Sequence, residues 1–311
     1  MSLKICGQCH KEVDCHYNGK LFVCQECEPT SKKELNEIDA EEYNNVLSEL
    51  NKIIGMNNIK REVSLLSSEV VINDLRRKKG LKVLERSHHM IFKGNPGTGK
   101  TSVARIIGKL YKALGILSKG HFIEVSRKDL LSQYIGSATI LTKDIMDKAK
   151  GGVLFIDEAH SLTRNKDGKD FGTEVIDTLL TYMENYRDDL VVIAAGYSDD
   201  MDKFLDSNPG LKSRFVRTFN FEDYNNMELI DILNTYLEEF DYYVTDDAQS
   251  EIIGILNKER EKPQFSNARY IRNIIEKSIS YQSYRIFESL GNQKELSNDD
   301  LKRIEKIDLI F

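Results

Sequence analysis

Residues 94–101 read Gly94-Asn95-Pro96-Gly97-Thr98-Gly99-Lys100-Thr101 and fit the spacing G-x-x-x-x-G-K-[ST]. The chemistry this run supports is the capture of a phosphate chain. Glycines let main-chain N–H groups turn inward and approach an anion, and a following helix start adds unpaired N–H donors and a partial positive charge. Backbone from Gly94 to Ser102 would wrap the phosphates, Lys100 would reach the β- and γ-phosphates, and the Thr101 hydroxyl would ligate Mg²⁺. The context suits the motif: a strand-like Met90-Ile91-Phe92 precedes it, and the helical pattern TSVARIIGKLYKALGIL follows.

A grip on phosphates does not by itself imply hydrolysis. VLFIDEAH at 153–160 supplies that step: four apolar residues predict a buried strand, with Asp157 and Glu158 at its carboxyl end. In a parallel sheet that end faces the ligand crevice. Asp157 would hold Mg²⁺ through water, and Glu158 would orient and polarise the attacking water. Base identity is less constrained. The NKDG at 165–168 is one place wrong for the guanine signature N-K-x-D and lies too close to the acidic pair, which leaves ATP. DFG at 170–172 lacks a preceding H-R-D and is not read as a kinase motif.

A third constellation sits at the other end of the chain. All five cysteines lie in the first 27 residues, and Cys6-x-x-Cys9 and Cys24-x-x-Cys27 make two knuckles. Four thiolates suit a tetrahedral Zn²⁺ site, and the fourteen residues between the knuckles are one short of the usual zinc-ribbon spacing. A segment of this size has too little core to fold alone, so metal binding would supply its stability. His10, Cys15 and His16 are alternative ligands. Lys4, Lys11 and Lys20 are outnumbered by Glu12, Asp14, Glu26 and Glu28, which favours a protein-recruiting adaptor over a phosphate-backbone grip; a purely structural brace stays open.

These groups need elements to position them. The pattern predicts a zinc-ribbon-like head over 1–29, a helical linker over 30–50, an α/β core over 51–222 and an all-helical domain over 223–311. In the core, HHMIFKG, HFIEVS, GGVLFIDE and DLVVIAAGY are short Val/Ile/Phe-rich runs separated by longer helical stretches, the pattern of a parallel sheet flanked by helices. After residue 223 only amphipathic helical patterns remain, one opening at Thr245. With 40% hydrophobic and 30% charged residues the chain is expected to be soluble and folded; a net charge of −6 argues against non-specific nucleic-acid binding. No apolar run reaches membrane-span length and the amino terminus lacks a signal-peptide core, so a cytoplasmic location is expected.

In LNKIIGMNNIKREV, GNPGTGKTSVARIIG, GGVLFIDEAHSL, FGTEVIDTLLTYMENYRDDLVVIAAGY, SNPGLKSRF and SNARYIRNIIEKSI, from about Leu50 to Phe311, the chain resembles AAA+ ATPases, and within them the CbxX/CfqX group of rubisco-activase-type and stage V sporulation ATPases. The resemblance does not extend to the cysteine head. It implies a ring of subunits, a hexamer, with ATP at subunit boundaries and a protein client that is remodelled or threaded in a chaperone-like way. It assigns Arg214 as the arginine finger reaching a neighbour's ATP, with Arg217 as a nearby substitute. Arg269 becomes the second sensor, with Ser266-Asn267-Ala268-Arg269 in place of Gly-x-x-Arg. Ile54 and Gly55 would cradle adenine. Tyr197 takes the first-sensor position usually held by Asn. Tyr134, Ile135 and Gly136 match the aromatic–hydrophobic–glycine loop of threading rings. A switch or scaffold that hydrolyses ATP without threading, or a nucleic-acid-coupled ATPase, are the alternatives.

Overall fold

The computed structural model describes residues 39–84, 86–131, 137–163, 171–262, 264–290 and 296–309, and the backbone of four short strands within the first 38. The chain divides into two compact units, Met1–Ile38 and Asp39–Phe311. In the first, β1 (Lys4–Ile5) pairs antiparallel with β2 (Glu12–Val13), and β3 (Cys15–Tyr17) with β4 (Phe22–Cys24), with Cys15 opposite Cys24.

The second unit opens with α1 (Ala40–Lys52). Asp39 caps it by accepting from Glu42 N at 3.0 Å, and Glu41, Glu42 and Lys52 complement the helix dipole. This helix falls on the far side of the division from the head. Val46 and Leu50 are buried, Asp39 N donates to Ala113 O at 3.0 Å, and Lys109 meets Glu49 at 2.8 Å. The segment expected as a linker therefore contributes a helix packed into the larger unit.

After α2 (Asn57–Lys78) come β5 (Met90–Gly94), α3 (Lys100–Ala113), β6 (Phe122–Val125), α4 (Arg127–Leu130), α5 (Ser137–Ala149), β7 (Val153–Ile156), α6 (Phe171–Asn185), β8 (Val191–Gly196), α7 (Ser198–Asp206), α8 (Pro209–Arg214) and β9 (Arg217–Phe221). The strands form one parallel sheet ordered β6-β7-β8-β5-β9. Every residue of β7 and β8 is buried, as expected for strands covered by helices on both faces. β9 is the strand the hydrophobic pattern did not announce. Of RTFNF only Phe219 and Phe221 are buried, stacked against Phe92 with ring centroids at 5.2 and 4.9 Å, while alternate residues face outward at this sheet edge.

The carboxyl-terminal part comprises α9 (Asn226–Glu239), β10 (Tyr243–Val244), α10 (Asp246–Arg260), α11 (Asn267–Leu290), α12 (Asn298–Lys302) and β11 (Arg303–Ile304). Leu229, Leu233, Ile252, Leu256, Ile271, Ile275 and Ile304 fill its own core. Thr245 precedes α10, where the sequence placed a helix start. The final residues fold back on α11: Arg285 donates to Asp308 at 2.8 and 2.9 Å, and Gln282 Nε2 to the carbonyls of Leu301 and Arg303. The β10–β11 parallel pair closes this strap. No described helix is long and apolar enough to cross a membrane.

His89 braces the α/β core. Its Nδ1 accepts from Val192 N at 3.0 Å, which leaves the proton on Nε2 to donate to Met183 O at 3.0 Å. Burial, outweighing the carbonyl contact, pushes its pKa from 6.5 down to about 4. The folded state thus binds fewer protons than the unfolded chain between these values, so stability is full above pH 6.5 and is lost as pH falls toward 4, by at most about 3 kcal/mol. Denaturant unfolding at pH 7.5 and pH 5 should show a drop at the lower pH, smaller in His89→Gln; an equal drop in both proteins would reject the assignment.

Candidate active site

The parallel register brings the carboxyl ends of β5, β7 and β8 to one edge, and the loops that leave them line a single cavity beneath the carboxyl-terminal helical part, which forms a lid; its volume of about 580 Å³ suits a nucleotide. The loop after β5 contributes Gly94, Pro96, Gly97 and Gly99, and the first turn of α3 contributes Lys100, Thr101 and Ser102. Gly99 sits in the left-handed region (φ +84°) at the start of α3, with the Met56 side chain packed where a Cβ would stand. Thr98 is buried beneath the loop, its hydroxyl donating to Asn95 O at 2.8 Å. Lys100 Nζ donates to Gly94 O at 2.8 Å and Asn95 O at 2.7 Å. Burial lowers its pKa from 10.5 to about 8, with Asp157 the main opposing influence.

Asp157 and Glu158 follow β7 directly. Asp157 N continues the ladder by donating to Val125 O at 2.9 Å, and the Asp157 carboxylate accepts from Glu158 N at 3.1 Å. Glu158 has φ +48°, an unfavourable conformation for a residue with a Cβ, of the kind held at functional sites by surrounding structure. Both acids line the main cavity and also a second cleft with Ser126, Arg127, Lys128 and Ser161. At the end of β8, Gly196 and Tyr197 complete the floor, with the Tyr197 ring edge-on to His160 at 6.0 Å.

The lid closes the cavity. Arg269, in the first turn of α11, lines it. So do three residues the sequence did not single out: Arg272, one turn further along α11, and Ile232 and Tyr236 of α9, with the Arg272 guanidinium 5.5 Å from the Tyr236 ring centre. The i, i+3 spacing from Arg269 was the available signal for Arg272; Ile232 and Tyr236 read as ordinary core positions of an amphipathic helix.

Other candidate residues lie elsewhere. Asn95 turns its amide away toward Asp223, donating to both carboxylate oxygens at 3.0 Å. Ile54 and Gly55 do not line the cavity; Gly55 packs against Glu228 and Tyr224 of the lid. Arg214 lies at the end of α8 in a separate recess with Arg86, Ser87, Glu184 and Arg187, 3.5 Å from Glu184. Arg217 is paired with Glu69. Tyr134, Ile135 and Gly136 lie outside the described residues, as do Cys6, Cys9 and Cys27; of Cys24 only the backbone, at the end of β4, is described. Among the described residues no group of three His, Cys, Asp or Glu is arranged to hold a metal ion.

Comparison with known proteins bears on this arrangement. Residues 90–223 match the family model for the ATPase family associated with various cellular activities (AAA), and residues 225–311 that for the AAA lid domain. The chain is 42% identical over 305 residues to stage V sporulation protein K of Bacillus subtilis, covering 96% of this chain and 93% of that protein. It is 41% identical to the chloroplastic ribulose bisphosphate carboxylase/oxygenase activase of Cyanidioschyzon merolae, covering 90% and 97%, and 45% identical to protein CfxQ of Xanthobacter flavus, covering 79% and 78%. The 96% share means that similarity to the sporulation protein runs into the cysteine-bearing head, where none was expected. Among solved structures, the FIGL-1 AAA domain in complex with ADP superposes with a TM-score of 0.57 at 17% identity, covering 83% of this chain and 80% of that one, a likeness of fold alone.

The lowered pKa of Lys100 makes binding pH-dependent. Above about pH 8 the free protein loses the Lys100 proton, whereas phosphate oxygens favour the charged form. Affinity for ATP should therefore fall between pH 7.5 and 9, by at most about tenfold, with proton uptake on binding at the higher pH. Calorimetry in buffers of different ionisation enthalpy measures both; uptake that persists in Lys100→Met would place the proton elsewhere.

Proposed function

From the premise that this chain belongs to the AAA ATPases and hydrolyses ATP, we propose that it is a ring-forming, Mg-ATP-driven machine, a hexamer, that remodels a protein client. The observation that carries the proposal is the convergence, in one cavity between core and lid, of Lys100 and Thr101, the acidic pair Asp157 and Glu158, and Arg269. Phosphates lie on the amides of 94–102 and against Lys100. The Thr101 hydroxyl and the Asp157 carboxylate would hold Mg²⁺, which when bound neutralises charge on the β- and γ-phosphate oxygens. Glu158 takes a proton from the attacking water, and Arg269 and Tyr197 face the γ-phosphate end. The apolar and aromatic surfaces of Ile232 and Tyr236 offer the base a stacking face.

The finger acts in trans in this proposal. Arg214 lies beside Glu184 in another recess than the cavity of its own chain, and the match of SNPGLKSRF to the family pattern favours it over Arg217 as the residue offered to a neighbour. That a relative is named an activase of ribulose bisphosphate carboxylase/oxygenase supports a protein as client. Tyr134, Ile135 and Gly136 would line the pore and grip the client by packing. In the head, Cys6, Cys9, Cys24 and Cys27, the two C-x-x-C pairs, would hold Zn²⁺. The head would recruit the client.

Glu158→Gln should keep ATP binding and lose hydrolysis by a factor of at least about 10². Arg214→Ala should lose it by about 10³ or more. Mixing the two inactive variants should restore measurable turnover, because each supplies what the other lacks at a shared boundary, and specific activity of the wild type should rise with concentration. Concentration-independent turnover with no recovery on mixing would reject action in trans. Metal analysis should find one zinc per chain, lost in Cys6→Ser/Cys24→Ser.

A further inference from the structure

The phosphate loop meets the start of α11 at Asn267 and the residues beside it. Asn267 opens α11 with φ +48°, and it is fully buried. Its Oδ1 accepts from Tyr224 N at 3.0 Å. Its Nδ2 donates to Asp223 Oδ1 at 2.7 Å, and lies 3.2 Å from Phe265 O and 3.4 Å from Pro96 O in the phosphate loop. Asp223 carries the connection onward, its two oxygens accepting from Asn95 Nδ2. Beside it, Ala268 N donates to Gly97 O at 3.2 Å, and a Cβ at Gly97 (φ +71°) would collide with the carbonyl of Ser266. The underside of the phosphate loop is thus clasped by the residues that begin the helix bearing Arg269 and Arg272.

We propose that Asn267 is a positioning residue for hydrolysis: through Asp223 and Asn95 it holds the phosphate loop and the first turn of α11 as one body, so that Arg269 and Arg272 are set over the phosphates that the loop binds. The proposal rests on the assignment of ATP to this cavity. An asparagine suits the task because it both donates and accepts within one short side chain, and it tolerates a positive φ better than other residues with a Cβ. The unfavourable backbone angle is held in place by bonds to both sides, so weakening either side frees the helix start to rotate.

The test uses Asn267→Gly, which keeps the backbone angle accessible and removes only the carboxamide, together with Asn95→Ala and Asp223→Ala. Each single variant of the full chain should lower kcat at least about tenfold while the Kd for ATP rises no more than about threefold, since the amides of the loop remain. Because the Asn95 carboxamide reaches this clasp through Asp223, Asn95→Ala/Asp223→Ala should turn over no more slowly than Asp223→Ala. Losses that multiply, or a loss confined to Kd, would overturn the proposal. Hydrogen exchange on the nucleotide-free protein decides independently of ATP chemistry. In Asn267→Gly, protection should fall together at 97–101 and at 268–272; a fall confined to 268–272 rejects the clasp even if the variant is slow, and a wild type that fails to hydrolyse ATP, with the joint fall still present in Asn267→Gly, would reject the ATP assignment and leave the clasp standing.

Discussion

The larger unit depends on one constraint: the first turn of α3 must present unpaired main-chain N–H groups at the end of a central strand. An exposed helix start could do this anywhere on a surface, but only water would answer it there. Here β5 lies between β8 and β9 in parallel register, so the loop after it emerges among other strand ends. The acids after β7 and the tyrosine after β8 arrive at the same edge without any adjustment of their own strands.

The electrostatics follow from that placement. Lys100 is buried enough for its proton to be held weakly, and the nearby Asp157 carboxylate is the main influence that keeps it charged. A site of this kind is arranged for a negatively charged occupant, which would satisfy the lysine and the amides at once. Glu158, in its unfavourable backbone conformation, is aimed at two clefts, and the strain fits a residue whose direction matters more than its comfort.

The lid acts on the loop as well as on the ligand. Its first helix supplies Ile232 and Tyr236, its third helix the arginines, and the clasp through Asn267 and Asp223 makes the loop's underside a lid contact. A movement of the lid would accordingly be felt by the backbone of the loop after β5. The back-folded end of the chain, anchored by the Arg285–Asp308 pair, stiffens α11 behind this contact.

The order and spacing of short motifs were enough to determine the phosphate loop, the acidic pair and the buried strands, because these depend on local backbone freedom and on apolar runs that only a covered parallel sheet can use. Arg269 was legible by family resemblance. β9 was not, because an edge strand needs to bury only alternate residues and RTFNF shows just two apolar ones. Arg272, Tyr236 and the Asn267–Asp223–Asn95 chain were not legible either: Tyr236 is far in sequence from Arg272, and Asn95 and Asn267 from Asp223, so these contacts exist only once the helices have packed. Arg214 and Arg217 look equivalent as letters. Tertiary structure gives each its own partner, Glu69 for Arg217 and Glu184 for Arg214, because salt-bridge partners far apart in sequence are chosen by the fold and not by the motif.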